Sequence, residues 1–256
     1  MEDVITETPP PSRFLEEDLN TFTPPSPPLP SPFLLFPHSL PQNQPLKPTL
    51  LILALSAPSL ALFHHHRNDK TLLASLILPE LPFSLPDNTS NIHSLSAADA
   101  LLVSVQCPVA ADRAHAVAKL LVGDRIRPES VLVLDSVEPR NYRGRLPPEE
   151  AVAFKLESSA ERKRSDLEKL LDGSLEYYPS GSVVDGLGAA ILGRCQILNV
   201  RASLCVSWPQ FDASVVSLLK GLLQRGVLRG FDFGSSGEVL RFGRSKDPLF
   251  RSDLYI

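Results

Sequence analysis

Continuous apolar runs alternate along most of the chain with stretches in which apolar residues recur every three or four positions. The runs are typical of strands buried on both faces of a sheet, and the wider spacing is typical of amphipathic helices. The pattern predicts six strands: Thr49–Leu55, Thr71–Leu78, Asp99–Val105, Ser130–Leu134, Ala151–Leu156 and Ala202–Val206. It also predicts five helices: Pro58–Phe63, Ala110–Val122, Ser159–Asp172, Val183–Leu198 and Asp212–Arg225, the last with Asp212 as its N-cap. Because strands and helices alternate, we expect an α/β fold with a mainly parallel sheet flanked by helices.

The first 47 residues break this pattern. The chain has 25 prolines, and 13 of them lie in the first 48 residues. Six acids and two bases in residues 1–47 account for the whole net charge of −4. Since proline supplies no backbone donor, residues 1–47 are predicted to be a disordered, acidic arm, of which the apolar patch Phe33–Phe36 could dock on the domain. Residues 48–240 are then the α/β domain, and residues 241–256 a flexible C-terminal tail.

Composition excludes several classes of protein. After residue 47 the charges balance, which argues against a strongly basic nucleic-acid binder. The apolar run Leu50–Phe63 contains Pro58 and is shorter than the roughly 20 residues that a membrane span needs. The cysteines Cys107, Cys195 and Cys205 form no CxxC pair and suit a reducing compartment. We therefore expect a cytoplasmic protein, with the nucleus as a second compartment, that binds neither nucleic acid nor membrane.

Motifs that bind cofactors or metals are not apparent. The segment Gly186-Leu187-Gly188 would need a third glycine at position 191 to match a dinucleotide fingerprint, but that residue is Ile191. Three consecutive histidines, His64–His66, point in different directions on any regular element and so form a poor metal site. We predict no cofactor, no metal and no catalytic residue.

Two alternatives stay open. One is an α/β enzyme of nucleoside-phosphorylase-like or hydrolase-like type, using Cys107 and Asp135 at strand ends, with His115 nearby and the Arg140–Arg145 loop as an anion site. The lack of a phosphate-binding loop and of a paired general acid and base argues against it. The other is a signalling adaptor that acts through PxxP segments of the arm.

The last three residues form a recognisable peptide ligand. Leu254 can enter an apolar slot, and Tyr255 can bury its ring while its hydroxyl keeps a polar partner. The carboxylate of Ile256 can pair with a lysine, and it is present only where a chain stops. We therefore predict that Leu254, Tyr255 and Ile256 bind a partner protein.

The region from Pro48 to Ile256 resembles the proteasome assembly chaperone 1 family. Thr49–Phe63 is similar to the first strand and turn of that family, and Ser182–Leu192 is similar to its helix motif. The continuation from Cys195 to Leu204 is similar to the strand that follows. The tail is similar to the hydrophobic–Tyr–X motif with which the family ends.

The resemblance implies a non-enzymatic chaperone. Family members form a heterodimer with a related protein, proteasome assembly chaperone 2. The dimer sits on the α-ring of the 20S proteasome, favours assembly of that ring and blocks premature binding of regulatory caps. The resemblance further implies that Leu254, Tyr255 and Ile256 dock in a pocket between adjacent α-type subunits.

Overall fold

A computed structural model describes residues 30–37, 45–64, 70–81, 90–95, 99–148, 150–229, 231 and 233. The strands are β1 (Phe33–Leu35), β2 (Leu50–Ala54), β3 (Lys70–Ile77), β4 (Ser90–Leu95), β5 (Ala100–Ser104), β6 (Ser130–Ser136), β7 (Val152–Glu157) and β8 (Arg201–Trp208). The helices are α1 (Ala57–His64), α2 (Ala111–Leu121), α3 (Ser159–Arg162), α4 (Gly186–Ile197) and α5 (Ala213–Arg225). A 3-10 turn covers Pro139–Asn141.

All eight strands belong to one mixed sheet, in the order β1-β3-β4-β5-β2-β6-β8-β7. The four neighbouring strands β5, β2, β6 and β8 are parallel. Strands β4, β3 and β1 extend one side of this parallel centre through antiparallel pairs, and β7 closes the other side. The predicted α/β class is therefore confirmed.

The core lies on both faces of the parallel centre. Because side chains alternate along a strand, Leu51 and Leu53 of β2 face one layer while Ile52 faces the other. Helices α2 and α4 cover the first layer and α1 and α5 cover the second. This double burial explains why these strands are continuous apolar runs rather than alternating ones.

Most predicted elements are confirmed within one to three residues. Helix α5 begins as expected, because the Asp212 carboxylate accepts a hydrogen bond from the Ser214 N–H at 2.8 Å. Helix α4 begins at Gly186, three residues later than predicted. Within the described residues, no helix is long and apolar enough to cross a bilayer.

The antiparallel side of the sheet was predicted only in part. Strand β4 was missed because it carries Asn91, His93 and Ser94 among its apolar residues, a pattern that resembles a loop. The patch Phe33–Phe36 does dock: Phe33–Leu35 form β1, which pairs with β3. Residues 33–35 of the arm that was predicted to be disordered are therefore an edge strand. Residues 1–29 and 38–44 of that arm, and the predicted tail 241–256, lie outside the described residues.

The predicted helix Ser159–Asp172 is wrong beyond Arg162. The buried carboxylate of Glu161 accepts hydrogen bonds from the Leu170 N–H at 2.6 Å and from Arg201 Nε at 2.8 Å. The chain therefore turns back instead of continuing as a helix. Leu170 enters the second core layer, whereas Leu167 is 88% exposed.

Candidate functional site at the strand ends

A crevice of about 320 Å³ opens where the parallel strands end. Its floor includes Leu55, Val105, Asp135 and Val206, which lie at the carboxyl ends of β2, β5, β6 and β8. One wall is the turn that leads from β5 into α2, and the other is the segment 183–187 that begins α4. Open α/β sheets bind ligands at this edge, because loops from neighbouring parallel strands converge there. The crevice is therefore the candidate site of the described residues.

Asp135 is the charged group at the base of the crevice. Its Oδ1 accepts a hydrogen bond from the Ser136 N–H at 2.8 Å. Burial raises the pKa of this carboxyl to about 6; the Ser136 hydrogen bond opposes the shift, and the Glu138 and Asp185 carboxylates add to it. Asp135 thus gains and loses its proton close to neutral pH.

Helix α4 begins directly above Asp135. A Cβ at Gly188 would lie 2.7 Å from Asp135 Oδ2, so any larger residue there would force the Asp135 carboxylate to move. Gly186 opens the helix with φ of +64°, a left-handed conformation that glycine adopts without strain. Gly188 therefore serves close packing against Asp135, and Gly186 serves the left-handed turn into the helix.

Tyr178 closes one side of the crevice. Its ring packs on Tyr142 and Phe154, with centroids 5.7 and 5.9 Å away, and the residue is 8% exposed. Burial raises the pKa of its hydroxyl, with smaller contributions from Tyr142, Asp185 and Glu138. The Tyr178 hydroxyl has no hydrogen-bond partner among the described residues.

The residues of the enzyme alternative are brought together only in part. Cys107 and Asp135 both line the crevice, but the Cys107 sulfur lies 3.1 Å from the Ser90 hydroxyl and His115 is exposed. Arg140 pairs with Asp185 at 3.9 Å, and none of the arginines at 140, 143 and 145 lines the crevice. The proposed anion site is therefore not assembled around Cys107 and Asp135.

The other predicted sites have different outcomes. His64 is exposed at the end of α1, and His65 and His66 lie outside the described residues. Across the described ranges, no group of three or more His, Cys, Asp or Glu residues could hold a metal ion. Leu254, Tyr255 and Ile256 lie outside the described residues, so the tail site stays a prediction.

Sequence reasoning missed Tyr178, Glu138 and Asp185 as crevice residues. Glu138 follows β6, whereas Tyr178 and Asp185 lie in the segment between α3 and α4, so the fold brings them together across 40 or more positions of sequence. The only local indication is Asp185, which precedes a helix, as N-cap residues do. Its carboxylate accepts a hydrogen bond from the Asn141 amide at 2.8 Å and none from the backbone N–H groups of the helix.

No family model matches the chain, and no curated protein matches it by sequence. Solved structures do match its fold. A Thermoplasma acidophilum protein of unknown function has a TM-score of 0.58 at 15% identity, over 77% of this chain and 83% of that one. Pyrococcus furiosus PbaA, an archaeal homolog of proteasome-assembly chaperone, has a TM-score of 0.56 at 15% identity, over 83% and 87%. Pyrococcus furiosus PbaB, an archaeal proteasome activator, has a TM-score of 0.56 at 12% identity, over 83% and 94%.

These similarities define the class of fold. The chain is an α/β protein whose sheet and helices match those of PbaA and PbaB over most of their length. At 12–15% identity the likeness extends to the fold and not to individual functional residues. The chain therefore has the fold of an archaeal homolog of proteasome-assembly chaperone.

Proposed function

We propose that this protein is a proteasome assembly chaperone. As a heterodimer with a related chaperone, proteasome assembly chaperone 2, it promotes assembly of the α-ring of the 20S proteasome. Its C-terminal tail docks in a pocket between adjacent α-type subunits. It acts by binding and not by catalysis, in the cytoplasm and also in the nucleus.

One combination carries the proposal: the fold shared with PbaA and PbaB occurs in a chain that ends in Leu254-Tyr255-Ile256. A fold alone hosts many functions, and a three-residue motif alone matches by chance in unrelated chains. Here the fold neighbours and the tail motif point to the same partner. The resemblance of Thr49–Phe63 and Ser182–Leu192 to a chaperone family adds a third observation from the sequence.

The crevice gives support to a binding role over a catalytic one. Cys107 is hydrogen-bonded to Ser90, and Asp135 to the backbone of Ser136. A nucleophile needs a base within hydrogen-bond reach that a third group orients. Among the described residues of the crevice, neither Cys107 nor Asp135 belongs to such a set.

The size of the tail indicates weak binding by one motif and stronger binding by the dimer. Three residues that bury a few hundred Å² gain several kcal/mol at about 25 cal/mol per Å². Ordering a flexible tail offsets much of this gain. A second tail on the partner chaperone, together with contacts of the folded domain, raises affinity through effective concentration.

The test is binding of purified proteasome α-ring to the full chain and to a chain that lacks residues 254–256. We expect the deletion to weaken binding by about tenfold or more, because it removes the apolar anchor, the tyrosine and the terminal carboxylate together. Adding one glycine after Ile256 should weaken binding by a similar factor, since the carboxylate is then displaced.

The matched control is Ser252→Ala, which changes the tail just before the motif and leaves the motif intact. All variants should unfold at the same urea concentration, because the changes lie beyond the elements of the core. Equal affinity of the full and shortened chains for the α-ring would refute the role of the tail. Loss of binding in Ser252→Ala would show that the motif is not what is recognised.

A further inference from the structure

The charged groups that line the crevice are all acidic. Asp135, Glu138 and Asp185 contribute carboxyl groups, and among the described residues no lysine, arginine or histidine lines it. The rest of the lining is largely apolar, from valine and leucine side chains of the strand ends and of the segment before α4. The crevice thus has a negatively charged floor and apolar walls.

The carboxylates are only weakly neutralised by the protein itself. Arg140 pairs with Asp185 at 3.9 Å, but both side chains are more than half exposed, so this is a surface pair at the rim. Glu138 lies 3.5 Å from the amide nitrogen of Gln210, which carries no charge. Within the described part of the chain, no cation pairs with Asp135 or Glu138.

A second and independent feature is the Tyr178 hydroxyl. Tyr178 is more than nine-tenths buried, its ring is fixed by Tyr142 and Phe154, and it lines the crevice. The hydroxyl forms no hydrogen bond with the described residues, so it is available to bond a group that enters the crevice.

We propose that the crevice binds a small organic cation: an ammonium or guanidinium group on a short apolar stem. The cation donates hydrogen bonds to the Asp135 carboxylate and to the Tyr178 hydroxyl oxygen, and the stem packs on the valine and leucine walls. The volume of about 320 Å³ is at the lower end for ligand sites, which fits a ligand of this size. This proposal does not depend on the proposed chaperone function.

The first experiment compares butylguanidinium with its neutral analogue butylurea on the full chain, by ligand-observed NMR at pH 8. The two probes have nearly the same shape and differ in charge. We expect butylguanidinium to bind with a dissociation constant of about 1 mM, as suits so few atoms, and butylurea to bind at least about tenfold more weakly. Equal binding of the two probes, or no binding of butylguanidinium, overturns the proposal.

Two variants locate the site. Asp135→Asn removes the charge and Tyr178→Phe removes only the hydroxyl, and each should weaken butylguanidinium binding by about threefold to tenfold or more. The matched control is Asp124→Asn, the same change at an acid that is 96% exposed and forms a loose surface pair with Arg127 at 3.8 Å. Unchanged binding in Asp135→Asn, or an equal loss in Asp124→Asn, would show that the cation binds elsewhere.

A second readout uses Cys107, which lines the same crevice. Bound butylguanidinium should slow alkylation of Cys107, whereas butylurea at the same concentration should not. A blocked Gly-Arg-Gly peptide and its citrulline counterpart then separate the two sources of the cation. Binding of the arginine peptide assigns the site to a side chain of a partner protein, and binding of butylguanidinium alone assigns it to a free small molecule.

Discussion

Asp135 lowers the stability of the fold because its carboxylate is buried, yet it supplies the charge at the floor of the crevice. It lies near the end of β6, whose first five residues, Ser130–Leu134, are all buried, and Gly188 allows α4 to pack closely over it. Burying a carboxylate disfavours its charged form, which is why the pKa of Asp135 rises to about 6. A side chain with this cost at a strand end is typical of a position kept for function.

The stability effect of Asp135 depends on pH. The pKa of Asp135 is about 6 when folded and about 3.8 when unfolded, so the folded state prefers the protonated acid. Below pH 3.8 the carboxyl is protonated in both states, so its burial does not lower the stability of the fold. Above pH 6 it is ionised in both states, and the full loss of stability is present. Asp135→Asn should therefore raise the free energy of unfolding by about 1–2 kcal/mol at pH 8 and leave it unchanged near pH 3.5.

Urea unfolding at the two pH values measures this difference. Asp124→Asn, at an exposed site, should change stability by less than about 0.5 kcal/mol at either pH. A gain of Asp135→Asn that is equal at pH 3.5 and pH 8 would mean that charge burial is not its cause.

The three cysteines should differ sharply in reactivity. Burial raises the pKa of Cys195 and of Cys205 to about 12, with Arg194 opposing the shift at Cys195, and both side chains are fully buried, whereas Cys107 is 6% exposed. Cys107 lines the crevice. Since the thiolate is the reactive form, alkylation of the folded protein at pH 8 should modify Cys107 alone.

Peptide mass spectrometry after alkylation reads this out directly. Cys107→Ser should remove the label from the folded protein, and denaturant should expose the two remaining thiols. Labelling of Cys195 or Cys205 at the rate of Cys107 would contradict the packing described for α4 and β8.

At the scale of elements, the buried carboxylate of Glu161 holds the segment after α3 in place. The side chain of Glu161 is fully buried, and it joins β8 through Arg201 to the turn at Leu170. Glu161→Ala should lower the free energy of unfolding by about 3 kcal/mol, because the Leu170 N–H loses its hydrogen bond to the carboxylate and Arg201 loses its ion pair. Urea unfolding measures the loss.

Glu168→Ala is the matched control in the same segment. Glu168 forms an exposed pair with Arg164 at 3.7 Å, and exposed pairs contribute less than about 1 kcal/mol. If the two alanine variants were equally stable, Glu161 would not hold the segment in place.

The parallel centre of the sheet could be predicted from sequence because burial on both faces makes its strands apolar throughout. Strand β2 is entirely buried, and its five residues are Leu50-Leu51-Ile52-Leu53-Ala54. Helices α2 and α5 were predicted within one residue at each end, since one apolar face of each packs on the sheet. Strand β4 and the end of α3 could not be predicted. Their polar side chains form contacts with residues that are distant in sequence, and in the sequence alone such residues are typical of a loop or of an exposed helix.

Some residues of the candidate site could be predicted from the sequence, and others could not. Cys107 and Asp135 could be placed near the site because each follows an apolar strand, and parallel strands end at one edge. Tyr178 could not, because only Tyr142 and Phe154, brought near by folding, fix its ring. The tail residues 254–256 were predicted from motif chemistry, and their binding stays a prediction.

At the scale of the whole molecule, fold similarity survives where sequence similarity does not. PbaA and PbaB share 12–15% identity with this chain and yet match 83% of it. A core tolerates many apolar substitutions if volume and pattern are kept, so a shared sheet needs little shared sequence. Function must therefore be argued from the sites: the crevice in the described residues and the predicted tail.

The most direct test of the central claim is capture of the full chain from cells that express it, with the bound proteins identified by mass spectrometry. A chain that lacks residues 254–256 is captured in parallel as the matched sample. We predict that proteasome α-type subunits and a related chaperone accompany the full chain, and that fewer α-type subunits accompany the shortened one. Absence of proteasome subunits from both samples would contradict the proposal and reduce the likeness to PbaA and PbaB to one of fold alone.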